Sequence, residues 1–185
     1  MILEIVQYGH PALRAKGRRV EAIDDKIHKL AEDMLETMVD ADGVGLAAQQ
    51  IGIPIQMCVI DVAGVTDRPS ELRIAGKRVD IDSHMPLVLI NPEVETFGKE
   101  KAGAEGCLSF PGLRGEIVRP ISVRVKAQDL EGQLVEFEAD GLLARAVQHE
   151  HDHLHGILFI DRMDKRQRKE LDEEIENLRV TDFGG

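Results

Sequence analysis

At 185 residues with 43% hydrophobic content, the chain is long enough to bury one core and reads as a single domain spanning 1–185. Its formal net charge of −11 excludes a general nucleic-acid binder, which needs basic patches against phosphate. Two cysteines exclude a disulfide framework, no apolar run approaches membrane-spanning length, and the opening MILEIVQYGHPALRAKG lacks a secretory pattern, so the expected setting is cytoplasmic, with no membrane and no disulfide partners.

The first predicted element is an amphipathic helix over 24–41. Ile27, Leu30, Ala31, Met34, Leu35, Met38 and Val39 fall on one face, Asp24 is the N-cap candidate, and Gly43 stands just past the end. Strands are predicted at 55–62 and 86–90. Cys58 sits in the first of these, in an apolar run where cysteine acts as a small hydrophobe. The polar segment 63–84 between them, broken by Pro69 and Gly76, reads as a surface insertion and tolerated loop. Strands at 121–129 and 134–139 form a hairpin around Glu131-Gly132, since alternation resumes on each side of a short glycine-containing turn. A helix follows over 140–155, and a mixed-charge C-terminal helix over 164–180 carries the stripe Leu171, Ile175 and Leu178. The expected fold class is α+β, with antiparallel or mixed sheets packed around a central helix that carries the H-E-x-x-H motif, plus the C-terminal helix.

That motif is the strongest chemical signal. His149 and His153 lie four apart on a helix, so both imidazoles share one face and one divalent ion, with Glu150 beside them to handle the proton of an attacking water. Leu142, Ala146, His149 and His153 continue one inward-facing line, and a buried carboxylate on it is costly unless a cation or hydrogen bonds answer it. The residues leave the third ligand open among three sources. The pattern that places a third histidine on the same segment fails, because Phe159 occupies its last position. Glu170, Glu173 and Glu174 follow on a charge-dense helix. Cys107, after Gly106, stands where the chain can turn sharply and would make a Cys-His-His set with an open fourth position.

Three motifs taken together resemble the peptide deformylases: Gly43-Val-Gly-Leu-Ala-Ala-Gln-Gln50, Glu105-Gly-Cys-Leu-Ser109 and His149-Glu-His-Asp-His153, in the family's order. The resemblance implies hydrolytic removal of the N-formyl group from the formyl-Met N-termini of nascent polypeptides, releasing formate. It implies Cys107, His149 and His153 as metal ligands and Glu150 as general base, then general acid. It also implies Gln50 and the Leu108 backbone N–H as donors to the formyl oxygen. Val44, Gly45, Leu142 and Ala146 take the substrate-binding positions. Gly43 is expected to end the preceding helix and Gly45 to allow close approach of the substrate chain. Glu105 is expected to pair with Arg119, and Asp152 with a local backbone or basic group. Arg145 puts a charge near the pocket rim.

The implied cofactor is one divalent metal ion per chain, with iron(II) native and nickel, cobalt or zinc found in preparations; the ligand set alone suits zinc. The resemblance further implies transient ribosome contact through the C-terminal helix, whose positive charge is concentrated in Lys165, Arg166, Arg168 and Lys169. Two other readings stand beside it: a zinc endopeptidase with a glutamate third ligand, and a metal-bound structural module without catalysis. Neither gives Gln50 or the Cys107 motif a task.

Overall fold

In the computed structural model of the chain, which describes residues 1–182, Asp24 caps the first helix as its sequence suggests: its side chain accepts from Ile27 N at 3.1 Å. The expected domain over 1–185 ends with residues 183–185, which lie outside the described residues. Helix α1 (Asp25–Asp40) lays Ala31, Met34 and Met38 on the strands that follow it, β1 (Gly45–Ala47) and β2 (Met57–Ile60). Gly43 N donates to Met38 O at 2.9 Å, closing the helix end.

The remaining strands are β3 (Ser70–Ile74), β4 (Lys77–Val79), β5 (Leu87–Cys107), β6 (Phe110–Gln128) and β7 (Leu134–Asp140). They join β1 and β2 in a seven-stranded sheet of order β1-β2-β5-β6-β7-β3-β4, with every paired neighbour antiparallel. The protein is thus α+β with an antiparallel sheet. Of the predicted strands, 121–129 and 134–139 meet in the expected hairpin, where Asp129 accepts from Glu131 N and Gln133 N and Gly132 takes φ of 75°.

The segment 63–84 departs from expectation. It is not a bare loop: β3 pairs with β7, β4 pairs back on β3, and Leu72 is buried in the core under the sheet. It also supports the next helix, α2 (Gly141–Leu154), whose N-cap Asp140 makes no side-chain cap. Instead Ser70 Oγ accepts from Leu143 N at 2.9 Å and Pro69 O from Leu142 N at 3.2 Å, so two of the helix's unpaired amides are satisfied from this segment. Gly141 is required there. It takes φ of 71°, and a Cβ on it would lie 2.1 Å from Pro69 O.

Helix α2 packs against β1, β2, β3, β6 and β7, with Leu143, Ala144, Val147 and Leu154 inward. The expected helix over 164–180 is two short helices, α3 (Lys165–Glu170) and α4 (Asp172–Leu178), broken at Leu171. Ile175 enters a second core cluster with Tyr8, Phe110, Phe159 and Met163, which lies behind the tip of the β5–β6 hairpin.

Candidate active site

β5 and β6 turn back on each other at Leu108 and Ser109, with Cys107 paired to Phe110, so Cys107 stands at the tip of a long hairpin. His149 and His153 rise from one face of α2 with ring centroids 5.0 Å apart. Cys107 Sγ is 3.4 Å from His153 Nε2. One ligand atom from each of these three residues lies within 4.8 Å of the others, and among the described residues this is the group that could hold a metal ion. Glu170, Glu173 and Glu174 are exposed on α3 and α4 and do not join it.

The donor set fits a divalent cation. His149 Nδ1 is engaged by Glu105 Oε1 at 2.9 Å, which leaves Nε2 for the ion. Burial alone would lower the pKa of His149, but its hydrogen bonds to Cys107 and Glu105 hold it well above the usual imidazole value. A place that keeps a proton among anionic partners is a place for a cation. His153 is pushed well below the usual value by burial and by His149, so it is a neutral imidazole ready to ligate. Glu150 Oε2 is buried without a hydrogen-bond partner, a costly state that a water and a neighbouring cation would relieve.

Glu150 itself is 4% exposed, and burial raises its pKa from 4.5 to about 7. Its neighbour across the cleft is Gly45, where a Cβ would sit 2.5 Å from Glu150 Oε1. The close approach that needs glycine here is thus to the carboxylate. Gln50 ends up buried on the short turn Ala48–Ile51, its Oε1 accepting from Ala47 N at 3.0 Å. Its Nε2 donates toward Cys107 Sγ at 3.5 Å and Ser109 Oγ at 3.3 Å, which aims the amide at the cysteine.

A cavity of about 500 Å³ opens in front of these groups. Val44, Gly45, Leu142 and Ala146 line it, as do Gln50 and Glu150. Cys107, Leu108 and His149 also reach it, whereas His153 lies behind, almost fully buried.

Behind the histidines runs a chain of alternating charge. Arg119 donates Nε and Nη2 to Glu105 at 2.7 and 3.0 Å and Nη1 to Asp152 at 2.9 Å. Arg162 grips the other side of Asp152 at 2.8 and 3.1 Å. Burial would raise Glu105's pKa, but His149 and Arg119 hold it well below the ordinary carboxylate range. The Glu105–Arg119 pair is as expected from the sequence, and the partners of Asp152 are basic ones. The bond from Glu105 to His149 was not anticipated, and neither were Arg68 and Arg114 at the cavity mouth. No local pattern announces those contacts, since they join positions far apart in the chain.

Comparisons with known proteins agree on one family. The family pattern described as polypeptide deformylase matches residues 2–169. A peptide deformylase of Methylacidiphilum infernorum is 49% identical over 179 residues, covering 97% of this chain and 94% of its own. One of Opitutus terrae is 44% identical, covering 96% and 93%. Among solved structures, a plant peptide deformylase superposes with a TM-score of 0.82 at 38% identity over 95% of this chain and 88% of its own. A Synechococcus elongatus peptide deformylase in complex with actinonin gives 0.80 at 40% identity, covering 95% and 86%. With most of its length matched by the family pattern and by relatives of this identity, the chain belongs to the polypeptide deformylase family.

Proposed function

We propose that the cavity binds the formyl-Met end of a nascent polypeptide and that Cys107, His149 and His153 hold one divalent metal ion there for hydrolysis of the formyl amide. The reaction is the family's: a metal-dependent hydrolase removes the N-formyl group and releases formate. The observation that carries the residue assignment is the convergence of the three ligand atoms within 4.8 Å beside a buried, unpartnered carboxylate and an open cavity. The helix bearing His149 and His153 would be the central element around which the fold is arranged.

When bound, the ion supplies Lewis-acid polarisation and makes a water more acidic. Glu150 takes the proton of the attacking water at its carboxylate and returns it to the departing amine, and a pKa near 7 suits a group that must do both. As charge gathers on the formyl oxygen, Gln50 Nε2 and the Leu108 N–H donate to it, and Gln50 is held for this by the Ala47 N bond on its other end. Val44, Gly45, Leu142 and Ala146 enclose the methionine side chain and keep water from the reacting carbon. Glu105 fixes the His149 ring through Nδ1.

Iron(II) is the metal this reading assigns, with nickel, cobalt or zinc able to take the same ligands. A cytoplasmic enzyme acting on chains as they emerge would touch the ribosome transiently, and Lys165, Arg166, Arg168 and Lys169 of α3 are the cations available for it. No described helix is long and apolar enough to cross a membrane. Formate release from a formyl-Met peptide, measured anaerobically with iron(II)-loaded protein, tests the assignment. Cys107→Ala should lose both stoichiometric metal and turnover, while Glu173→Ala keeps both. The reverse result would sink it.

A further inference from the structure

The sequence places Arg145 near the pocket rim, and it lines the cavity there. Its guanidinium is also held by three hydrogen bonds. Nη1 donates to Glu105 Oε2 at 2.8 Å and to Ile117 O at 2.9 Å, and Nη2 donates to Lys101 O at 2.9 Å. These acceptors belong to β5 and β6, while Arg145 belongs to α2. One side chain therefore ties the helix that carries His149 and His153 to the hairpin that carries Cys107. It also supplies one of the four hydrogen bonds on Glu105, whose other oxygen orients His149 Nδ1.

Room for this guanidinium comes from one position. A Cβ at Gly103 would lie 2.8 Å from Arg145 Cζ and 2.9 Å from Nη2. Gly103 has no positive φ to account for it, so the glycine is explained by the close approach of the arginine.

We infer that Arg145, seated against Gly103, is a positioning residue for the metal centre: it sets where the hairpin ligand stands relative to the helix ligands and steadies Glu105 behind His149. The inference rests on the Cys107, His149 and His153 assignment made above. A planar fork with several donors can hold two strands and a carboxylate at once, which a lysine ammonium or a neutral side chain of similar length cannot. Losing a hydrogen bond behind a metal ligand typically weakens metal binding about 10- to 100-fold.

The test uses cobalt(II)-loaded protein, with release to excess chelator followed by loss of the cobalt–thiolate absorbance, alongside kcat and KM for a formyl-Met peptide. Arg145→Met keeps the stem and removes the fork. Release should quicken about tenfold or more and kcat should fall, with KM changed less than about twofold. Gly103→Ala should shift release in the same direction by displacing the guanidinium, and the double variant should be no worse than Arg145→Met, because both changes act on one contact. Release at the wild-type rate from Arg145→Met overturns the inference, as does a raised KM with unchanged release, which would make Arg145 a substrate contact. Should Arg145→Met not fold, Gly103→Ala decides alone, and wild-type release from it overturns the inference. His149→Ala serves as the control for the underlying site: if it kept the wild-type cobalt spectrum, the ligand assignment would be at fault and not the role of Arg145.

Discussion

Glu105 and Glu150 are two buried glutamates, 5% and 4% exposed, both interacting with His149 and tuned in opposite directions. Glu105 receives four hydrogen bonds, from Arg119 twice, Arg145 and His149, and its pKa is driven down. Glu150 has an oxygen with no partner and faces a cavity, and its pKa rises to about 7. By exposed surface the two are about equally buried, and desolvation pushes both upward. What separates the two directions is the number of hydrogen-bonding and cationic partners aimed at each carboxylate.

The largest expected effect comes from removing the carboxylate proposed to carry the proton. Glu150→Gln keeps the shape and the open cavity, so metal content should stay near one per chain while formate release falls by more than the ~10²–10⁴ usual for acid–base catalysis, because the group acts twice. Turnover within tenfold of wild type would end its role. Removing the charge of Glu105 acts on stability instead. Glu105→Gln leaves Arg119 and Arg145 short of a buried countercharge, and urea unfolding of that variant should show a loss of about 3–5 kcal/mol together with faster metal loss. A loss under about 1 kcal/mol would show that the arginines find other partners.

Next in size is the neutral donor beside Cys107. Gln50→Ala should cost ~2.7–4 kcal/mol of transition-state stabilisation, or roughly 10²–10³ in kcat, with KM and metal content little changed. A raised KM with normal kcat would reassign Gln50 to holding the substrate.

The smallest effect is a pH dependence in the metal-free protein. Glu150 binds its proton more tightly folded than unfolded, so its contribution to stability is greatest below about pH 4.5 and is lost as pH rises toward about 7. A shift from 4.5 to about 7 corresponds to about 3 kcal/mol. Chelated wild type should therefore lose stability over that window relative to chelated Glu150→Gln. Parallel curves for the two proteins would mean that water already satisfies the carboxylate.

The sequence made some of these parts plain and hid others for physical reasons. α1, the β6–β7 hairpin turn and the helix holding His149 were legible because their apolar spacing or turn residues match one local geometry. The first half of β6 was not. Its buried positions alternate properly at Leu113, Gly115, Ile117 and Arg119, but a glycine packed under Met163 and an ion-paired arginine occupy two of those slots, while Val118 sits on the exposed face. The middle of β5 is mostly exposed and polar, so no period-2 signal exists there. β3 and β4 were missed because a short edge hairpin buries little beyond Leu72. At the site, the motifs named Glu150 and the three residues proposed as ligands, which the fold brings together, and the family resemblance paired Glu105 with Arg119. The contacts from Glu105 to His149 and Arg145 span 44 and 40 residues and could only be seen folded.

The charge chain behind the histidines also bears on how quickly the protein comes apart. Arg119 reaches Asp152 33 residues away and Arg145 reaches Glu105 40 residues back, so these two links cannot form until α2 has met the β5–β6 hairpin. Contacts of such separation are made late, after the loop-closure entropy has been spent. Interactions absent from the folding transition state leave the folding rate alone and slow unfolding. Arg119→Met should accordingly steepen the loss of native protein in strong denaturant, with most of its destabilisation appearing in the unfolding rate and little in the refolding rate. The buried ion pairs would then act as a latch that holds the assembled site in time, independent of whether a substrate or metal is present.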